Sequence, residues 1–126
     1  MFMADDPTTG IEELGALDVA ELYDEGKAML IDVRTPMEYA YEHVRGALNL
    51  PMAFLDPDKL PRETDKVMIF HCGSGIRSKM VAEKCLAAGF PVVRHMAGGF
   101  MAWRKAKLPY VATNPATGGP IDKRDT

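Results

Sequence analysis

Residues 67–78 read VMIFHCGSGIRS, and this stretch decides how the rest of the sequence is interpreted. Val67 to His71 is an almost continuously apolar run, which is typical of a strand buried on both faces of a parallel sheet. Cys72 follows the strand at once, and a loop with two glycines leads from it into a helical pattern near Ser78. The stretch therefore predicts a strand, a tight loop that carries a cysteine, and a helix.

Other segments repeat this alternation of buried strand and helix. Ala28–Val33 and Val92–Met96 are further apolar runs of strand length, and Ala47–Leu50 is a shorter run closed by Pro51. The sequence Thr35-Pro36-Met37-Glu38 is a capping box with proline at the first helical position, so a helix should begin there. The pattern predicts an α/β fold, in which strands and helices alternate around a mainly parallel sheet.

Composition and charge argue against several classes of protein. The chain has 126 residues, of which 47% are hydrophobic and 26% are charged, as expected for one globular domain. The net charge of −3 gives no basic field for nucleic acid, and no apolar run has the length of a membrane span. The acidic start is unlike a signal peptide, and two cysteines outside a Cys-x-x-Cys pattern suit a reducing compartment. We therefore expect a cytoplasmic protein that binds neither nucleic acid nor membrane.

The two ends of the chain differ in composition from its middle. Residues 1–9 and 110–126 are polar and rich in Pro, Thr, Gly and Asp, so both are expected to be flexible tails. Residues 10–109 are predicted to form the folded domain, which we expect to be a monomer.

The loop after residue 71 has the features of an anion-binding site. Ligands of such sheets bind where the carboxyl ends of the strands meet. The polar and reactive side chains that fall at this edge are Asp32, Arg34, His71 and Cys72. The glycines allow the backbone N–H groups of residues 73–77 to face one point, and the following helix adds the positive end of its dipole. These donors, with Arg77 at the end of the loop, are expected to lower the pKa of the Cys72 thiol.

The remaining candidate residues have simpler interpretations. Cys85 lies on the apolar face of the helix after the loop, where a free cysteine packs as a small hydrophobic residue. Asp32 and Arg34 are expected to brace the fold as an ion pair beside the loop. Neither a metal nor a cofactor is expected, because metal-ligand spacing is not found among the three histidines, His43, His71 and His95.

Three motifs, in this order along the chain, resemble those of the rhodanese-like domains. The loop CGSGIRS at 72–78 is similar to the active-site loop of single-domain members. DVRTPMEY at 32–39, with HVRGALNLP at 43–51, resembles the first signature of the family, and MAGGFMAW at 96–103 resembles the last. One departure is Glu42, which stands where the family usually has glycine. The resemblance implies a rhodanese-like three-layer fold, with a central parallel sheet of about five strands.

The resemblance also implies a sulfurtransferase of the thiosulfate sulfurtransferase type. Cys72 would take a sulfur atom from a donor such as thiosulfate and pass it, as a persulfide, to cyanide or a thiol. Asp32 and Arg34 would support the loop. The residues expected to bind the substrate are Gly73, Ser74, Gly75, Ile76 and Arg77. Small donors and a persulfide-carrying protein would all present sulfur to the same loop, so the donor stays open.

Two other functions compete with sulfur transfer. Phosphatases of a related fold have five residues between the cysteine and the arginine, whereas four separate Cys72 from Arg77. The shorter loop makes a tighter cradle, and it contains no obvious general acid for a leaving alkoxide. A non-catalytic binding module is typical of family members that have lost the cysteine, which this chain has kept. Sulfur transfer is therefore the predicted function.

Overall fold

A five-stranded parallel sheet forms the centre of the computed structural model, which describes residues 10–61 and 65–126. The strands of the described residues are β1 (Ile11–Leu14), β2 (Ala28–Asp32), β3 (Glu42–His43), β4 (Leu48–Asn49), β5 (Val67–His71), β6 (Val93–Met96), β7 (Tyr110–Thr113) and β8 (Pro120–Lys123). The central sheet has the order β1-β6-β5-β2-β4 with all neighbours parallel, while β3, β7 and β8 form a small antiparallel sheet. The predicted parallel sheet of about five strands is confirmed.

Helices cover both faces of the central sheet. They are α1 (Ala16–Asp24), α2 (Pro36–Tyr41), α3 (Ile76–Ala87) and α4 (Gly99–Lys105), with short 3-10 helices at Met52–Phe54 and Pro57–Lys59. Leu30 and Ile69 face the core beneath α1 and α4, while Ile31 and Phe70 face the core beneath α3. Among the described residues, no helix combines the length and apolarity that a membrane span requires. The two cores explain why β2 and β5 are apolar at almost every position.

The starts of the first two helices show how far local signals decide an element. The capping box is present: Glu38 N–H donates to Thr35 Oγ1 at 3.2 Å, and Thr35 N–H donates to Glu38 Oε1 at 3.0 Å. α1 begins at Ala16 without a side-chain cap, and Asp18 lies within its first turn. The Asp18 carboxylate there is close to the positive end of the helix dipole, which it stabilises.

The C-terminal segment, predicted to be a flexible tail, instead forms the hairpin of β7 and β8. Tyr110 and Val111 are buried, and β7 pairs with β3, so the folded part of the chain extends beyond residue 109. Two buried side chains and the pairing with β3 thus help to anchor a segment whose average composition is polar. Residues 1–9, predicted to be the other tail, lie outside the described residues.

Glu42 joins the small sheet to the rest of the fold. Its side chain is only 6% exposed, and its two carboxylate oxygens accept from Arg104 Nη1 and Lys123 Nζ, each at 2.9 Å. Its backbone carbonyl accepts from Arg34 Nη2 at 2.7 Å. Glycine at this position would provide neither side-chain bond. The departure from the family pattern thus coincides with the point where the hairpin is fastened.

The Glu42 contacts make a specific contribution to stability. We expect Glu42→Gln to lower Tm by roughly 3–6 °C, because the amide would turn a buried NH₂ group towards one of two cationic donors. The matched variant is Asp122→Asn, which removes an ion pair between the same hairpin and Arg45. Both side chains of this pair are exposed, Asp122 by 85% and Arg45 by 60%. This change should lower Tm by less than about 2 °C. Thermal unfolding followed by circular dichroism measures both, and equal shifts would contradict the role of Glu42.

Candidate active site

Cys72 lies directly after β5, at the base of the loop that leads into α3. The residue is fully buried, and its Sγ accepts from Gly75 N–H at 3.1 Å and from Ser78 N–H at 3.3 Å. Gly75 has a φ of 102°, a conformation that side-chain-bearing residues rarely adopt, and this conformation turns its N–H towards the sulfur. Two backbone donors therefore converge on one sulfur atom.

These contacts determine the acidity of the thiol. Burial raises the pKa of Cys72, but hydrogen bonds to the sulfur outweigh it, so the pKa lies below its ordinary value. The largest of these bonds involve the backbone and hydroxyl of Ser78, followed by the N–H groups of Ser74 and Gly75. Burial raises the pKa of Cys85, which packs in the core beneath α3. A thiolate, the reactive form of cysteine, is thus favoured at residue 72 and disfavoured at residue 85.

The first turn of α4 packs directly on the Cys72 loop. Phe100 N–H donates to the carbonyl of Cys72 at 2.8 Å. Met101 N–H donates to the carbonyl of Gly73 at 3.1 Å. A Cβ atom on Gly99 would come 2.6 Å from the carbonyl carbon of Gly73, so a residue with a side chain would push the helix and the loop apart. Gly99, the first residue of α4, therefore allows close backbone packing between the helix and the loop.

Arg77 forms an ion pair with Glu38 of α2. Arg77 Nη1 lies 2.8 Å from Glu38 Oε1, and Nη2 lies 3.0 Å from Oε2. Hydrogen bonding to Arg77, opposed by burial, holds the pKa of Glu38 at about 2. Because Glu38 also completes the capping box, it links the start of α2 to the loop. The sequence indicated a cation at the end of the loop but not the carboxylate that faces it.

Asp32 and Arg34 form a second, buried ion pair beside the loop. Arg34 Nη2 lies 2.8 Å from Asp32 Oδ2, Nε lies 3.0 Å from Oδ1, and the guanidinium carbon lies 4.6 Å from the ring centre of Phe100. His71 Nε2 lies 3.7 Å from Asp32 Oδ2 and has no hydrogen-bond partner within the described residues. Burial, only partly opposed by Asp32, lowers the pKa of His71. His71 is therefore a neutral imidazole against an ion pair that is already satisfied.

Ser78 and His95, to which the sequence gave no role in the site, lie beside the cysteine. Ser78 Oγ is 3.7 Å from Cys72 Sγ and 2.9 Å from His95 Nδ1. The position of Ser78 on the first turn of α3, six residues after the cysteine, is a local signal that would have found it. His95 is found only through the sheet, because β6 places it opposite Phe70 of β5.

One cavity of the described part of the chain lies away from the Cys72 loop. A cavity of about 600 Å³ lies between α1, α4 and the C-terminal hairpin, and none of its lining residues belongs to the Cys72 loop. Within residues 10–61 and 65–126, no three His, Cys, Asp or Glu side chains lie close enough together to hold a metal ion. The candidate site is defined by the sulfur of Cys72 and the hydrogen-bond donors around it.

Comparison with known proteins identifies the family. The family model for the rhodanese-like domain matches residues 16–106. The chain belongs to the rhodanese-like family. The resemblance inferred from three sequence motifs is thereby confirmed, and β7 and β8 lie beyond the matched residues.

Individual rhodanese-like relatives agree with this assignment. The chain is 36% identical over 94 residues to the thiosulfate sulfurtransferase GlpE of Haemophilus influenzae, covering 74% of this chain and 88% of that protein. It is 35% identical over 96 residues to an uncharacterised protein of Synechocystis, covering 76% of this chain but only 54% of that longer protein. A rhodanese-related protein of Thermoplasma volcanium superposes with a TM-score of 0.67 at 25% identity, covering 79% of this chain and 97% of that one.

The pKa of Glu38 predicts a pH-dependent contribution to stability. A carboxyl whose pKa is about 2 in the folded protein, against an ordinary 4.5, stabilises the fold above pH 4.5. This contribution is lost as the pH falls through about 2. The difference in Tm between wild type and Glu38→Gln should therefore be largest near neutral pH and shrink between pH 4.5 and 2.

A matched control tests whether this trend belongs to the Arg77 contact. Glu25→Gln removes a carboxylate that pairs with Lys27 at 3.2 Å on the exposed surface. It should change Tm little at any pH. A Tm difference for Glu38→Gln that stays constant from neutral pH to pH 2.5 would contradict the assigned ion pair.

Proposed function

We propose that this protein is a sulfurtransferase that carries a sulfane sulfur as a persulfide on Cys72. The observation that carries the proposal is the convergence of hydrogen-bond donors on one buried sulfur whose pKa is lowered. Family membership supports the reaction class, because relatives of the family include a thiosulfate sulfurtransferase. A cysteine in a donor-lined loop is suited to attack an electrophilic sulfur and then to stabilise the anion that forms.

The first half of the reaction loads the sulfur. The Cys72 thiolate attacks the outer sulfur of thiosulfate, so a bond forms between Sγ and that sulfur. The S–S bond of thiosulfate breaks, and sulfite leaves with the electron pair. The negative charge moves from Sγ to the outer sulfur of the persulfide. The N–H groups of Gly75 and Ser78 are fixed by the backbone around Sγ, so they need no reorganisation while the charge moves to the attached sulfur.

The second half delivers the sulfur to an acceptor. Cyanide or a thiolate attacks the outer sulfur of the persulfide, the new bond forms, and Cys72 leaves as the thiolate that began the cycle. Electrons and charge balance in each half without a metal or cofactor. We propose that a monomer carries out this cycle in the cytoplasm.

The loop is proposed to bind the donor mainly through its backbone. We assign donor binding to the N–H groups of residues 73–77, with the Arg77 guanidinium orienting the sulfonate oxygens. The side chain of Ile76 is exposed and apolar, so this residue offers a backbone N–H to an anion. Arg77 already pairs with Glu38, so its guanidinium would interact with both the Glu38 carboxylate and the bound donor. Thiosulfate is the donor proposed for testing, and a small or protein-bound persulfide would present the same sulfur.

Exchange of each cysteine tests the proposal directly. After incubation with thiosulfate, the intact mass of wild type should increase by one sulfur, and cyanide should remove it. Cys72→Ser should gain no sulfur and lose several orders of magnitude of transfer activity. Cys85→Ser, which changes a core position, should still be loaded. Equal loss in both variants would overturn the assignment of Cys72. An unmodified wild-type mass, with aryl phosphate hydrolysis that disappears in Cys72→Ser, would favour a phosphatase.

Variants of the Arg77 pair separate donor binding from loop bracing. Arg77→Ala should lower kcat/KM for thiosulfate roughly 10- to 100-fold, about 1.5–3 kcal/mol, mainly through KM, and Arg77→Lys should lie between. Glu38→Gln frees the guanidinium, so capture of thiosulfate should be kept or improved. Rates of iodoacetamide alkylation should change little in all three variants. Wild-type kinetics in Arg77→Ala, or equal loss in Glu38→Gln and Arg77→Ala, would contradict a role in donor binding.

A further inference from the structure

A line of three side chains, from Ser78 through His95 to Glu13, connects the buried sulfur of Cys72 to solvent. Ser78 Oγ lies 3.7 Å from Sγ and 2.9 Å from His95 Nδ1. The other ring nitrogen of His95, Nε2, lies 3.5 Å from Oε2 of Glu13. Ser78 and His95 are buried, whereas the side chain of Glu13 is 59% exposed. The catalytic cycle proposed above uses none of these contacts to move a proton.

The outer end of this line determines how its hydrogen atoms are arranged. A carboxylate has only acceptor atoms, so Glu13 favours the tautomer of neutral His95 that carries its proton on Nε2. Nδ1 is then an acceptor and takes the hydroxyl hydrogen of Ser78. The other acceptor near that hydroxyl, the carbonyl of Gly75, is more distant at 3.3 Å. A lone pair of Ser78 Oγ is left facing the thiol. The S–H of Cys72, the O–H of Ser78 and the Nε2–H of His95 therefore all point in one direction, towards Glu13.

The charged groups around His95 set its resting state. Burial lowers its pKa most strongly, and Lys79 on α3 acts in the same direction. Glu13 on β1 and Glu83 on α3 favour the protonated form but do not outweigh burial. His95 is therefore neutral at rest and becomes a cation only where a new negative charge nearby compensates. Ionisation of Cys72 supplies such a charge.

We propose that Ser78, His95 and Glu13 form a relay that accepts the proton of the Cys72 thiol. The Sγ–H bond breaks and its proton passes to Ser78 Oγ, while the hydroxyl proton of Ser78 passes to His95 Nδ1. The products are a thiolate and an imidazolium, with no change in net charge and the serine restored. The new Ser78 O–H points back at the thiolate, and Glu13 faces the imidazolium. The relay rests on the proposed function, since it prepares the same sulfur for attack on the donor.

Glu13→Gln tests the relay through the sign of its effect. If Glu13 acted on Cys72 only by direct electrostatics, removal of its negative charge would favour the thiolate and lower the pKa of Cys72. The relay predicts the opposite, because the imidazolium loses its partner. We expect the pKa of Cys72 to rise, with alkylation slowed on the order of threefold at a pH below that pKa.

The neighbouring glutamate provides the matched control. Glu12 lies on the other face of β1, where its Oε1 pairs with Arg94 Nε at 2.9 Å. Glu12→Gln removes the same charge from the adjacent position without touching His95. It should leave the pKa of Cys72 unchanged or slightly lower.

Two variants within the relay test whether its effect passes through the serine. His95→Asn keeps a hydrogen-bonding group near Ser78 but cannot take up a proton, and it should slow alkylation of Cys72 roughly tenfold. Ser78→Ala should do the same. The double variant should be no slower than the slower single variant, because the two residues act in one chain. Iodoacetamide rates against pH, resolved at Cys72 by peptide mass, measure all of these variants.

The outcomes separate the relay from the proposed function. A fall or no change in the pKa of Cys72 in Glu13→Gln would overturn the relay. Wild-type alkylation in His95→Asn, or additive effects in the double variant, would also overturn it. Sulfur loading from thiosulfate is measured on the same proteins. If wild type gains no sulfur, the proposed function fails, and the alkylation rates still decide the relay.

Discussion

The close contact between α4 and the Cys72 loop is the constraint on which the site depends. Two N–H groups of α4 hold the carbonyls of Cys72 and Gly73. Because a peptide unit is planar and trans, a fixed carbonyl directs the N–H of the next residue to the opposite side. Holding the carbonyl of Gly73 against α4 therefore turns the N–H of Ser74 away from the helix, on the side where it interacts with the sulfur. The absence of a side chain at Gly99 makes this contact possible.

The charged side chains Arg34 and Arg77 beside the loop are each paired with a carboxylate, so the dipoles of neutral groups dominate at the sulfur. Arg34 is paired with Asp32, and Arg77 with Glu38, within hydrogen-bonding distance. The largest interactions that lower the pKa of Cys72 are hydrogen bonds from neutral groups, chiefly those of Ser78. Dipoles fixed by the backbone keep their direction when a charge moves from Sγ to an attached atom. An unpaired cationic side chain beside the sulfur would instead move, because it is attracted most strongly to the atom that carries most of the negative charge.

Local signals predicted the elements that build the site. The apolar runs of β2 and β5, the capping box at Thr35 and the glycine loop each depend on residues close in sequence, and each appears in the structure. The helix after the loop begins at Ile76, two residues before the predicted start at Ser78, so Ile76 and Arg77 belong to its first turn. The family motifs added the expected number of strands. This much of the site follows from patterns that neighbouring residues create.

What the sequence did not predict depends on contacts between distant residues. β1 is the edge strand beside β6 and contains Glu12 and Glu13. Its sequence therefore lacks the continuous apolar run that marks a strand buried on both faces. The C-terminal hairpin relies on the two-residue strand β3 and on the buried carboxylate of Glu42, which lies 81 residues before its partner Lys123. The contact of His95 with Ser78 arises because β6 and α3 pack together. No periodicity in one segment can reveal such pairings.

The hairpin also provides an edge strand of the small sheet. β8 is its outer strand, and all four of its residues are exposed. Pro120 has no N–H to offer an added strand. An added strand would also crowd two charged side chains, Asp122, which pairs with Arg45, and Lys123, which bonds to Glu42. An incoming strand from another molecule would thus lack one hydrogen bond and meet two charges to desolvate. The edge resists the sheet-to-sheet association that leads to aggregation.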